Sequence, residues 1–244
     1  MDMTIRTMNP TGIPMSEISL NDAALYRLMT WLSPGFPIGA YAYSHGLDWS
    51  VENGDVQDMD SLALWLEDLC RHGGGRSDAI FFQHGWTRAR SNSEDLVELN
   101  DLAIALSPSR ERRMESVSQG RAFMIAIAPS WPWRGAPDIA MFNDADIAYP
   151  IAVAMAAAGH GVALRPALHA YLHAFIANLI SAGLRLIPLG QTEGQHLLAR
   201  LEATIGALTD EALAATLDDL GGAAFLADIA SMRHETQYTR LFRS

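Results

Sequence analysis

The segment SLNDAALYRLMTWLSPGFPIGAYAYSHGLDWSVENG, Ser19 through Gly54, sets the pattern for the whole chain. Ser19 followed three residues later by Asp22 resembles a capping box, and Leu25, Leu28, Met29 and Leu32 then fall at helical spacing. Pro34 and Pro37 stop that helix, because each fixes φ and removes a backbone donor. A second helix is expected from about Ala40 to Asn53, with Gly54 where a C-terminal cap belongs. Helix, break by proline or glycine, then helix again is the signature of an all-α chain.

The rest of the sequence repeats it. Asp58 opens a helix through Leu62, Trp65, Leu66 and Leu69, which breaks at His72 to Gly75. Ser77 or Asp78, then Ser93, then Ser109 are placed to cap further helices, the last running to Ala128. Pro129, Pro132 and Pro137 mark a tryptophan-rich loop, and later helices are expected at about 149–159, 166–182, 191–206, 210–219 and 222–235. No window alternates apolar and polar residues toward a hairpin turn, so no strand is expected. The reading is a single all-α domain, a helical bundle of about ten helices over residues 19–235. A flexible N-terminal arm, residues 1–18, precedes it and a C-terminal tail, 236–244, follows.

A chain of 244 residues can bury roughly 70% of the surface its unfolded form exposes, so folding needs no metal or disulfide. The single cysteine, Cys70, forms no internal bridge and no zinc pair, which suits a reducing cytoplasm. The first 17 residues lack the apolar core of a signal peptide. The most apolar span, Ile147 to Leu164, is interrupted by Pro150 and His160 and falls short of a membrane helix. A net charge of -11 argues against a nucleic-acid surface.

Sites for chemistry are sparse. His169 and His173 stand at i and i+4, the spacing of a helical metal pair, yet no general-base glutamate lies between them and no third ligand is near in sequence. The run from Arg71 to Arg76 has glycines and charge for a phosphate but lacks the Walker lysine and serine. Gly183 to Gly190 supplies no nucleophile elbow. No catalytic residue, cofactor or metal site is therefore expected. Two segments instead read as partner surface. Pro34 and Pro37 would present Trp31 and Phe36 rigidly. The terminal SMRHETQYTRLFRS, from Ser231, interleaves Tyr238, Leu241 and Phe242 with Arg233, Arg240 and Arg243, the composition of interface hot spots. The alternative for this tail is that it folds back onto its own core.

These same segments resemble the UreF family of urease accessory proteins, whose signature reads W-L-S-P-x-F-P-x-G-x-[FY]-x-Y-S-x-G-L-E. Trp31, Leu32, Ser33, Pro34, Phe36, Pro37, Gly39, Tyr41, Tyr43, Ser44, Gly46 and Leu47 match it, and Asp48 replaces the glutamate. Tyr149-Pro150, Leu189-Gly190-Gln191, Met232 to Glu235 and Arg240 to Ser244 are similar to the same family. The resemblance implies an all-α fold and a noncatalytic role in nickel insertion into apo-urease. It implies a dimeric adaptor between UreD (UreH in some species) and the GTPase UreG. The candidate partner contacts are then Trp31, Phe36, Pro37, Tyr43, Gln191, Arg233, His234, Glu235, Tyr238, Arg240, Leu241, Phe242 and Arg243. Arg233, Arg240 or Arg243 could act on the GTPase as an arginine finger. Close approach through the alanines of Ala152 to Ala158 would build a homodimer. The alternative function is a nickel carrier centred on His169 and His173.

Overall fold

The computed structural model describes residues 21–91, 94–136, 139–142 and 145–244. The expected arm and the proposed caps at Ser19 and Ser93 lie outside them. Among the described residues the regular elements are all helical: α1 (Asp22–Trp31), α2 (Leu47–Glu52), α3 (Met59–His72), α4 (Gly74–Ser91), α5 (Glu94–Ala105), α6 (Arg110–Ser130), α7 (Tyr149–Gly159), α8 (Leu164–Leu186), α9 (Gln191–Ala214) and α10 (Phe225–His234). The all-α reading holds.

Local chemistry places the boundaries. Asn21 caps α1 by accepting from the Ala24 amide at 2.8 Å. Asp58 and Ser61 form a reciprocal capping box at the start of α3, and Ser109 caps α6 as expected. The single helix expected from Ala40 to Asn53 is instead a short 3-10 turn, Ala40–Ala42, followed by α2. His45 at φ 59° and Gly46 at φ 80° take left-handed backbone between the two, which no helix can continue through. Gly46 is also needed for space, since a Cβ there would stand 2.6 Å from the Ser231 amide nitrogen of α10. Neither Ser77 nor Asp78 caps α4, which begins at Gly74, directly after a one-residue break at Gly73. The helices expected at 191–206 and 210–219 are largely one, α9, because Ile205, Leu208 and Ala212 carry the buried stripe straight through.

The alanine-rich helix α7 is the centre of the bundle. Ile151, Ala152, Val153, Ala154, Ala156 and Ala157 are wholly buried, chiefly against α4 and α6. The approach to α6 is close: a Cβ on Gly120 would lie 2.0 Å from the Ile147 carbonyl oxygen. The small side chains expected to make a dimer contact are therefore used inside the protomer. Helix α8 is long and apolar enough to cross a membrane by length and composition, but half of that window is buried within the bundle. Its Leu168, Leu172 and Ile176 pack inward, as in the core helix of a globular domain.

Candidate functional site

The expectation that Trp31 and Phe36 are presented at the surface is corrected. Trp31 is completely buried and Phe36 nearly so. Trp31 meets Phe123 and Trp131 edge-on, with ring centroids 6.3 and 6.1 Å apart, and Phe36 lies 5.4 Å from Phe123. Burying rings this large contributes about 2 kcal/mol or more each. The two prolines brace a turn that folds aromatics inward. Tyr43 is buried as well, whereas Pro37 and Gln191 stay exposed.

The turn at His45 and Gly46 brings α2 against α10 and the end of the chain. There Asp48, 6% exposed, accepts hydrogen bonds from the Leu241 amide at 2.7 Å and the Phe242 amide at 3.0 Å, both on Oδ2. Gln237 donates from Nε2 to Asp48 at 3.3 Å and to Glu52 at 2.5 Å. His234, wholly buried, bonds Glu111 Oε2 through Nδ1 at 2.6 Å, and its Nε2 stands 3.7 Å from Asp48 as an ion pair. Arg240 donates to the other oxygen of Glu111 at 2.7 Å. Burial opposes the charge on Asp48, but His234 and the Phe242 and Leu241 amides outweigh it and hold the carboxyl below the usual range. Burial likewise opposes the imidazolium of His234, and the Asp48 and Glu111 carboxylates outweigh that and raise its pKa.

A second carboxylate secures the last residue. Glu115 takes a hydrogen bond from the Ser244 hydroxyl at 2.8 Å, one from His45 Nε2 at 2.8 Å, and a short contact from Arg112. Despite burial, Arg112 and His45 hold its pKa down to about 2. The Ser44 amide donates to the Ser244 carbonyl at 2.7 Å, and the Arg243 amide to Ala42 at 2.8 Å. Phe242 is buried, with the Arg185 guanidinium 4.2 Å over its ring. The tail is a docked strap. The sequence offered folding back as an alternative, and the structure shows that geometry.

Docking leaves one face outward. Tyr238 is fully exposed and Leu241 is 62% exposed, beside Arg233, Arg240 and Arg243. On α10, Phe225, Leu226, Ile229 and Met232 are each more than half exposed, so the helix turns an apolar stripe away from the core. Arg110 and Arg113 at the start of α6 are exposed too, giving this part of an acidic chain several cations. His234 and Phe242, both named as contacts from the sequence, face inward and anchor the strap instead, while Glu235 is half-buried and accepts from the Arg110 amide. Sequence reasoning missed Asp48, Glu111, Glu115 and Gln237 as the residues that hold this surface. The one signal available was that two distinctive motifs lie at opposite ends of the chain.

The helical histidine pair is not assembled into a ligand set. His169 Nδ1 lies 3.2 Å from Thr209 Oγ1, and His173 is exposed. No group of three or more His, Cys, Asp or Glu side chains suited to a metal occurs among the described residues. Arg76, in the glycine run, pairs with Glu211 at 2.9 Å.

Fold and site together define an all-α protein whose polar network holds a C-terminal surface in place. The UreF family model matches residues 56–202. A urease accessory protein UreF of Bradyrhizobium diazoefficiens is 52% identical over 223 residues, covering 91% of this chain and 92% of that protein. One from Rhodopseudomonas palustris is 51% identical over the same shares, and one from a Bradyrhizobium species is 49% identical over 98% of this chain and its own full length. The chain belongs to the UreF family of urease accessory proteins.

Proposed function

We propose that this protein is a cytoplasmic, noncatalytic adaptor in urease maturation. It bridges the urease-binding accessory protein UreD (UreH in some species) and the GTPase UreG while nickel is inserted into apo-urease. The observation that carries this reading is the outward face of α10 and the strap, where Tyr238, Leu241, Ile229 and Met232 are exposed on a base fixed by buried carboxylates. A surface already ordered loses little conformational entropy on binding, which favours affinity. Aromatic and aliphatic anchors ringed by arginine are the composition of interface hot spots. Without a reacting group, such a protein acts by binding one state of its partner better than another. Arg233 and Arg243, both exposed, are the arginines that could reach the GTPase, whereas Arg240 is already bonded to Glu111.

The adaptor acts as a homodimer in this proposal. With the alanines of α7 enclosed in the protomer, the dimer face lies elsewhere. Light scattering at micromolar concentration checks it: a mass of only 26.6 kDa would remove the dimer from the proposal.

The experiment for the adaptor role is the double variant Tyr238→Ala, Leu241→Asp. Both side chains are exposed, so the fold should be indifferent, while capture of UreD-type partner should weaken by at least tenfold, about 1.4 kcal/mol. Full-strength capture by that variant would remove the strap from the interface.

A further inference from the structure

Beneath the proline-braced turn lies a cavity of about 220 Å³. Its roof is the segment from Leu32 to Tyr41, and its walls come from α4, α6, α7 and α8. The apolar part is aromatic, with Phe36, Phe175, Tyr149 and Tyr171 on the lining. Tyr149 and Tyr171 stand 5.5 Å apart at an interplanar angle of 43°. The polar part is ionic and unbalanced. Arg112 is engaged by Glu115, and His45 donates to that same carboxylate from Nε2, leaving its Nδ1 without a hydrogen-bond partner among the described residues. Asp78 is left over. Tyr171 donates to its Oδ2 at 2.9 Å, and no other hydrogen bond to its carboxylate is present among the described residues.

Asp78 has no ion-pair partner among the described residues, and it shares the single guanidinium of Arg112 with Glu115. Such a carboxylate in a ring-lined cavity favours a further positive charge, because Coulomb attraction is strong there and aromatic faces attract cations. We propose that this cavity binds a small organic ammonium ion, with its head on Asp78 and its apolar body against the Phe36 and Phe175 rings. A divalent metal is the poorer match, since the lining offers no set of three ligating side chains. The proposal is independent of the adaptor reading, because Asp78 and the aromatic rings take no part in the outward face of the strap, although Glu115 and His45 line the cavity and also secure Ser244.

Protonation supplies a signature. The groups facing Asp78 are Arg112 and Glu115 from α6, Tyr149 from α7 and Tyr171 from α8. Burial pushes the Asp78 carboxyl up to about 6, against the pull of Arg112 and the Tyr171 hydroxyl. A bound cation favours the ionised form, so its affinity is full above that value and falls about tenfold per pH unit below it.

The test titrates the full chain with 2-phenylethylammonium and with uncharged 2-phenylethanol by calorimetry at pH 7.5 and pH 5. Expected are one saturable site per chain for the ammonium ion, at least tenfold weaker binding of the alcohol, and ammonium binding at pH 5 weakened about tenfold. Asp78→Asn keeps an acceptor for Tyr171 and removes a charge that burial disfavours, so it should fold and bind the two probes alike. Ala177→Trp places a large ring in the lining, fills the cavity while keeping Asp78, and should abolish binding of both. Absence of saturable ammonium binding by the wild type, equal binding of the two probes, or pH-independent affinity would each overturn the proposal. So would undiminished binding by either folded variant; should both fail to fold, the wild-type pH series decides.

Discussion

Replacing Asp48 by asparagine tests whether a buried charge holds the strap. The side chain keeps its size and one carbonyl oxygen that can still accept from the Leu241 and Phe242 amides, which now share Oδ2 at 2.7 and 3.0 Å. The charge is what goes. A hydrogen bond to a charged group contributes about 1.5–3 kcal/mol against about 0.5–1.5 for a neutral one, so two such bonds lose about 2 kcal/mol. Asp48 is 6% exposed, so solvent screens little of this. In a domain of this size that corresponds to a fall of roughly 4–8 °C in melting temperature, if strap and bundle unfold together. If the strap releases alone, the loss appears instead as faster tryptic cleavage after Arg240 and Arg243. The pH dependence has a definite sign. The folded pKa of Asp48 is depressed, so the wild-type advantage over Asp48→Asn is present above the ordinary aspartate pKa and is lost as pH falls through the folded value. A variant that melts with the wild type at pH 7.5, and whose strap is cut no faster, would refute the charged clasp.

Deleting Thr236 to Ser244 should lower the melting temperature as well as abolish partner capture, because Phe242 leaves the core and Glu115 loses Ser244; an unchanged melt would contradict this. His234 behaves oppositely to Asp48: its raised pKa means that its stabilisation relative to His234→Asn is fully present below about pH 6.5 and declines as pH rises through the folded value, which urea titrations at pH 5.5 and 8.5 would show. Replacing both His169 and His173 by alanine should leave nickel binding by the isolated protein unchanged in equilibrium dialysis, and loss of a stoichiometric site would revive the carrier alternative.

What the sequence settled by itself was the kind of fold. Apolar residues at helical spacing, with breaks at Pro34, Gly54 and Gly73, are local signals, because a helix hydrogen-bonds within its own segment. Caps such as Asp58 and Ser109 were legible for the same reason, since their partners lie three residues away. The left-handed pair His45 and Gly46 was not. Nothing local demands it, and the requirement comes from α10, whose backbone passes where a Cβ on Gly46 would stand.

The site was hidden for the same physical reason. Trp31 and Phe36 read as surface because Pro34 and Pro37 brace their turn, but which way a braced turn faces is decided by the pocket that Phe123 and Trp131 provide from distant parts of the chain. Of the terminal residues, composition alone could name a sticky segment; it could not say which side chains anchor and which are offered outward. That division between Phe242 and His234 on one side and Tyr238 and Leu241 on the other is imposed by Asp48, Glu111 and Glu115, more than a hundred positions away along the chain. Carboxylates become a clasp only when tertiary packing strips them of water, because in solvent the same amides and guanidinium groups would exchange freely with it.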